Sequence, residues 1–160
     1  MSIVHLHLLL NHLPVVGIVL AALLILVAWM RRSDELVKVS LGLIVLLAVV
    51  AVIVFFTGEP AEEAVEYLAG VSHDVVERHE EAALVATVGM GVLGAAALLV
   101  LFWFRRHIVP RALVMTSLLA TLGLSGVMGY VANLGGQIRH TEIAGGGAPD
   151  NDRVDDHDRR

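Results

Sequence analysis

The chain has 160 residues, 57% of them hydrophobic, and a formal net charge of −5. That hydrophobic share is too high for an ordinary soluble domain, and the acidic balance offers no basic surface for nucleic acid. Cysteine is absent, which excludes disulfides, thiolate metal sites, iron–sulfur clusters and covalently attached haem.

Four apolar runs follow in chain order, about Leu8–Met30, Leu36–Phe56, Ala82–Phe104 and Ala112–Leu134. Each approaches or exceeds the ~20 residues a helix needs to cross a hydrocarbon core of about 30 Å. They predict an all-α integral membrane four-helix bundle, up-down-up-down, occupying residues 1–144 with helices at about 8–30, 36–56, 73–104 and 112–134. The start lacks a positive n-region and a small-residue cleavage site, so it reads as a span and not as a signal peptide.

The first helix opens with His5, His7 and His12, followed by Pro14. An imidazole in or beside a membrane helix is costly unless it lines a cavity, finds a polar partner or binds something. His5 and His12, seven apart, share one helical face, while His7 and Asn11 form an i,i+4 pair. Solvation at the headgroups accounts for His5 and His7 equally well, and less well for the deeper His12.

Arg31, Arg32 and Lys38 lie between the first and second spans, and Arg105, Arg106 and Arg111 between the third and fourth. The opposite side has only Arg78 and Arg139 near helix ends. The positive-inside rule therefore puts both termini and the second connection outside, as in a multi-pass protein of the bacterial inner membrane.

That outer connection is acidic, with Glu59, Glu62, Glu63, Glu66, Asp74 and Glu77, then Glu80 and Glu81. Gly58-Glu59-Pro60 predicts a short outer helix at about 60–69 ended by Gly70, and Ser72 is placed to cap the third span. The acidic connection is a solvated face, or a docking face for a basic periplasmic redox partner.

His79 heads the third apolar run, with Ala82, Ala83 and Ala86 beneath it. This smooth face would admit a flat porphyrin, or serve close helix packing. At the end of the fourth run Asn133, Gln137 and His140 share a face if the helix continues past Gly135-Gly136. Arg139 beside them suits a haem propionate or a headgroup. Residues 145–160 are charged, almost free of apolar side chains and predicted to be disordered.

Counting at ~1.5 Å per residue puts His12 about 28 Å from Arg31, His7 and His5 about 36 and 39 Å from it, and His79 about 39 Å from Arg105. His140 lies about 43 Å from Arg111 by the same count.

The segments His7–Gly17, Glu77–Ala83 and Asn133–Ile143 together resemble a family of bacterial four-helix membrane proteins of no assigned activity. Its members carry a His-rich first helix, a His at the head of the third and a Gly-Gly ending to the fourth. The likeness covers most of residues 3–143. In architecture the chain is also similar to membrane b-type cytochromes, although the paired-histidine spacing of the best-known cytochrome b subunits is not reproduced. That resemblance implies non-covalent haem b held by bundle histidines.

Three functions are therefore expected to compete. The first is a b-type cytochrome, an electron-transfer subunit more than a stand-alone enzyme. His12 and His79 are its first-choice axial ligands on diagonal helices, although their depths differ by about 10 Å. His140, His7 and His5 are alternative ligands, Arg139 a propionate partner, and Asn11, Asn133 and Gln137 supporting polar groups. The second is a copper, iron or zinc site drawn from His79, His140, His7, Glu80 and Glu142. The third is a membrane anchor or scaffold with interfacial histidines. Expected partners are the lipid bilayer and a larger membrane complex or a second copy of the chain.

Overall fold

The computed structural model describes the backbone of residues 3–66 and 73–139, and the side chains of residues 5–58 and 73–137. The described residues form five helices: α1 Ile3–Leu10, α2 His12–Arg31, α3 Asp34–Glu66, α4 His73–Trp103 and α5 Arg111–Arg139. Among the described residues four segments are long and apolar enough to cross a membrane: His5–Arg31, Asp34–Gly58, His73–Trp103 and Arg111–Gln137. The many Val and Ile residues in these segments are mediocre helix formers in water. In lipid each backbone polar group must be satisfied within its own segment, and the helix does that.

The first span is two helices because of Pro14. Its nitrogen cannot donate to the Leu10 carbonyl four residues earlier, and the chain turns at Asn11, between α1 and α2. The Asn11 N–H still donates to His7 O at 2.9 Å, so the two helices nearly run on. α3, by contrast, continues through Gly58-Glu59-Pro60 to Glu66, where a separate helix from about residue 60 was expected. Pro60 removes a single ladder bond, to the Phe56 carbonyl, where the apolar stretch ends and water can donate instead.

α2 ends with Arg32 in the left-handed region, φ 55°. The Arg32 N–H reaches Trp29 O at 3.4 Å and the Ser33 N–H reaches Ala28 O at 3.1 Å, the two bonds of a Schellman ending. Ser33 then caps α3, its Oγ accepting from the Leu36 N–H at 3.3 Å. The whole turn is thus two residues long.

α2 packs on α3 and α5, α4 packs on α3 and α5, and α1 lies on α3. The spans form a square in which α2 and α4 are diagonal. The α2–α3 turn and the 104–110 loop share one end, because Asp34 Oδ1 accepts the Val109 N–H at 2.8 Å. Successive spans therefore alternate in direction, with an arginine end and a histidine end.

Lipid tails are as apolar as leucine, so dispersion and close approach hold the bundle and water exclusion contributes little. Ile18, Ile25, Leu41, Ile44 and Met90 are fully buried along the axis. A Cβ on Gly94 of α4 would collide with the Ala48 Cβ of α3, which marks a close approach of those helices. Buried Ser40 and Thr121 donate back to Leu36 O (2.7 Å) and Ser117 O (2.6 Å), so neither hydroxyl is left unbonded. Leu20, Leu23, Val49, Leu99 and Leu119 stand on the outer surface.

Candidate functional site

Among the described residues two half-buried imidazoles sit at the histidine end, His7 on α1 and His79 on α4. His7 Nδ1 lies 3.2 Å from Val54 O of α3 and 3.2 Å from Thr57 Oγ1. The Thr57 hydroxyl donates its own hydrogen to Val54 O at 2.9 Å. Both oxygens are therefore acceptors for the His7 Nδ1–H. His79 Nδ1 donates to Val131 O of α5 at 3.2 Å. Since a carbonyl can only accept, Nδ1 carries the hydrogen in both rings, and each neutral imidazole keeps an unprotonated Nε2. Charge on His7 and on Glu80 acts at His79.

The two arrangements repeat one design. Gly58 follows Val54 by four residues, and a Cβ on it would lie 3.5 Å from His7 Cε1. Gly135 follows Val131 by the same interval, and its Cβ would lie 3.3 Å from His79 Cε1. In each hairpin of spans, a histidine on the earlier helix bonds a carbonyl on the later one, and a glycine one turn on admits the ring edge. Val54, Thr57, Gly58, Val131 and Gly135 were not anticipated as site residues. The signal for them was the repeated Val-x-x-x-Gly spacing, 54 to 58 and 131 to 135, which is legible only once the helices are paired.

The remaining candidates disperse. His5 and His12 do share a face, but both are exposed, and His12 Nδ1 donates to Leu8 O of its own span at 3.1 Å. His7 and Asn11 form the inward pair. Asn11 Oδ1 is buried and meets no donor among the described residues. Glu80 and Asn133 are exposed, and Gln137 Nε2 donates to Asn133 Oδ1 at 2.6 Å. His140 and Glu142 lie outside the described residues, as does the side chain of Arg139.

These placements overturn the cofactor expectations. Among the described residues no group of three or more His, Cys, Asp or Glu side chains converges to hold a metal ion. The copper, iron or zinc site is therefore not formed by His7, His79 and Glu80. The haem b reading falls with it, and with it the cytochrome and electron-transfer functions. Its first-choice pair fails on direction as well, because His12 faces away from the bundle that His79 faces. The physical reason is angular. His7 and His12 are five residues apart, which turns their side chains about 140° from one another around a helix.

Comparison with models of known families, with characterised proteins and with solved structures found no match. The four-helix, membrane-span-like architecture stands on the structure alone, and neither the bacterial family nor the cytochrome likeness gains support from relatives.

Proposed function

We propose that the chain is a multi-pass protein of the bacterial cytoplasmic membrane, with both termini outside and the arginine end in the cytoplasm, and that its histidine end binds protons. The orientation rests on the distribution of basic residues. The proton site rests on one observation: His7 and His79 are fixed through Nδ1 to backbone carbonyls of the neighbouring helices, which leaves each Nε2 as a base. An ionisable group held at membrane depth by such a bond is a functional group by default.

Protonation at Nε2 leaves both Nδ1 bonds intact and places charge where the helices meet. From α3, His7 faces the uncharged Val54 carbonyl and Thr57 hydroxyl; across the bundle it acts on His79. His79 faces the Val131 carbonyl of α5 and feels Glu80 on its own helix. Among the described residues the titratable neighbours of the pair are thus each other and Glu80. Two protons set like charges against each other, and α1, a short helix hinged at Asn11 and tied to α3 by His7, is the element that can yield. The protein so reads outer acidity as a change in the packing of α1.

Nitrogen-15 spectroscopy of the imidazoles in detergent micelles tests this. The expected result is an Nδ1–H tautomer for both rings, proton uptake at Nε2, and a His7 midpoint that moves when His79 is replaced by Asn. Rings that take up no proton between about pH 4 and 9, or a His7 midpoint indifferent to H79N, would refute the proposal.

A further inference from the structure

The arginine end carries a second feature, unrelated to the histidine pair. Phe102, Trp103, Arg105, Arg106 and His107 line an open cleft of about 290 Å³ where α4 gives way to the 104–110 loop. Trp103 is 77% exposed and Phe102 67%, so two large aromatic side chains stand uncovered at the helix end. Arg105 lies over the Phe102 ring, its Cζ 5.2 Å from the centroid. Both guanidiniums are exposed, and among the described residues neither meets a carboxylate.

The cleft is held in shape from α3. Asp34 Oδ1 accepts the Val109 N–H at 2.8 Å, and Asp34 Oδ2 pairs with Lys38 Nζ at 2.6 Å. Lys38 Nζ donates in turn to His107 O at 3.0 Å, and the His107 N–H donates to Phe104 O at 3.1 Å. The loop's own polar groups at His107 and Val109 are thus satisfied by protein, while the two guanidiniums beside them are not. Arg31, Arg32 and Arg111 add positive potential at the same end.

We propose that this cleft binds the phosphodiester of an anionic phospholipid. Arg105 and Arg106 meet the phosphate oxygens, and the first part of an acyl chain lies along Phe102 and Trp103. A guanidinium pair suits phosphate oxygens in geometry and charge. The aromatic wall leads from the charged mouth into the hydrocarbon, which fits a lipid and has no use for a free phosphate ion. The site is independent of the histidine reading, and neither fails with the other.

Trp103 supplies the assay. The full chain carrying W29F, which leaves Trp103 as its sole tryptophan, is reconstituted in bilayers of phosphatidylcholine containing a fixed fraction of dibrominated phosphatidylglycerol or dibrominated phosphatidylcholine. Bromine quenches tryptophan on contact. The expected result is a preference for phosphatidylglycerol at Trp103 on the order of ten-fold, falling about five-fold with each of R105Q and R106Q. Equal quenching by the two lipids in the parent protein overturns the proposal without any variant. So does a preference that survives R105Q/R106Q in a protein of unchanged circular dichroism. Loss of the preference in inorganic phosphate, but not in chloride of matched ionic strength, would reassign the cleft to the free ion and overturn the lipid.

Discussion

Gly94 is where the architecture can be tested most sharply, because the α3–α4 approach sets how near His79 comes to the α1–α3 unit. A methyl on Gly94 would fall on the Ala48 Cβ, with Ala48 Cα and Ile44 O each 3.9 Å away. Carbon atoms prefer about 3.5–4.0 Å, so Gly94→Ala must part the helices by roughly an ångström. Overpacking of this kind costs about 1–3 kcal/mol, against a gain of about 1 kcal/mol in helix propensity from Gly to Ala. The single substitution therefore nets a loss of about 0–2 kcal/mol, too broad to be decisive. The exchange Ala48→Gly with Gly94→Ala moves the methyl from one helix to the other and removes the collision. Equilibrium unfolding in mixed micelles of increasing SDS content, followed by circular dichroism, gives the four stabilities of the cycle. A coupling of about 1–3 kcal/mol favouring the exchange is expected. Gly91→Ala serves as a control, since no atom lies within 4 Å of its Cβ, and it should not destabilise. A coupling below about 0.5 kcal/mol, or equal effects of Gly94→Ala and Gly91→Ala, would refute the packing argument.

Two further outcomes follow from the arginine end. Arg32 holds a left-handed conformation that glycine adopts without strain, so Arg32→Gly should stabilise the bundle by about 1 kcal/mol in the same SDS titration; a loss of stability would show that the side chain matters more than the backbone. Asp34→Ala leaves the buried Val109 N–H without its acceptor and frees Lys38. Hydrogen exchange at the Val109 amide should then accelerate by about ten-fold or more, while amides in the middle of α3 keep their protection. Unchanged exchange at Val109 would mean that the loop is held by something other than the clasp.

The four apolar runs were enough to read an all-α bundle of membrane-span-like helices, because run length and hydropathy are the properties that decide a span. Azimuth was not legible in the same way. Counting histidines on one side of a bilayer estimates depth, yet His7 and His12 differ chiefly in direction, and only the helix partners decide which faces in. Pro14 was visible in the sequence, but its effect falls four residues earlier, at Leu10, where the ladder loses a donor. The Asp34–Lys38 clasp was hidden for another reason. Its partners are main-chain groups of His107 and Val109, and a backbone N–H or carbonyl leaves no mark on residue identity. The haem reading erred at the step from several imidazoles at one level to imidazoles aimed at one point.

The doubled histidine–carbonyl–glycine unit bears on how such a chain is made. His7 finds its acceptor within the first two spans, and His79 finds its own within the last two. A nascent hairpin leaving the translocon already contains both halves of its seam, so the first pair of spans can settle in the bilayer before the second has been synthesised. What must wait is the joining of the hairpins, along the α3–α4 and α2–α5 faces and through the Asp34 bond to Val109. These contacts predict a biogenesis of two separate insertions and one lateral docking step. Expressed as two separate polypeptides split between Glu66 and His73, the halves should each insert unaided and reassemble in the membrane plane.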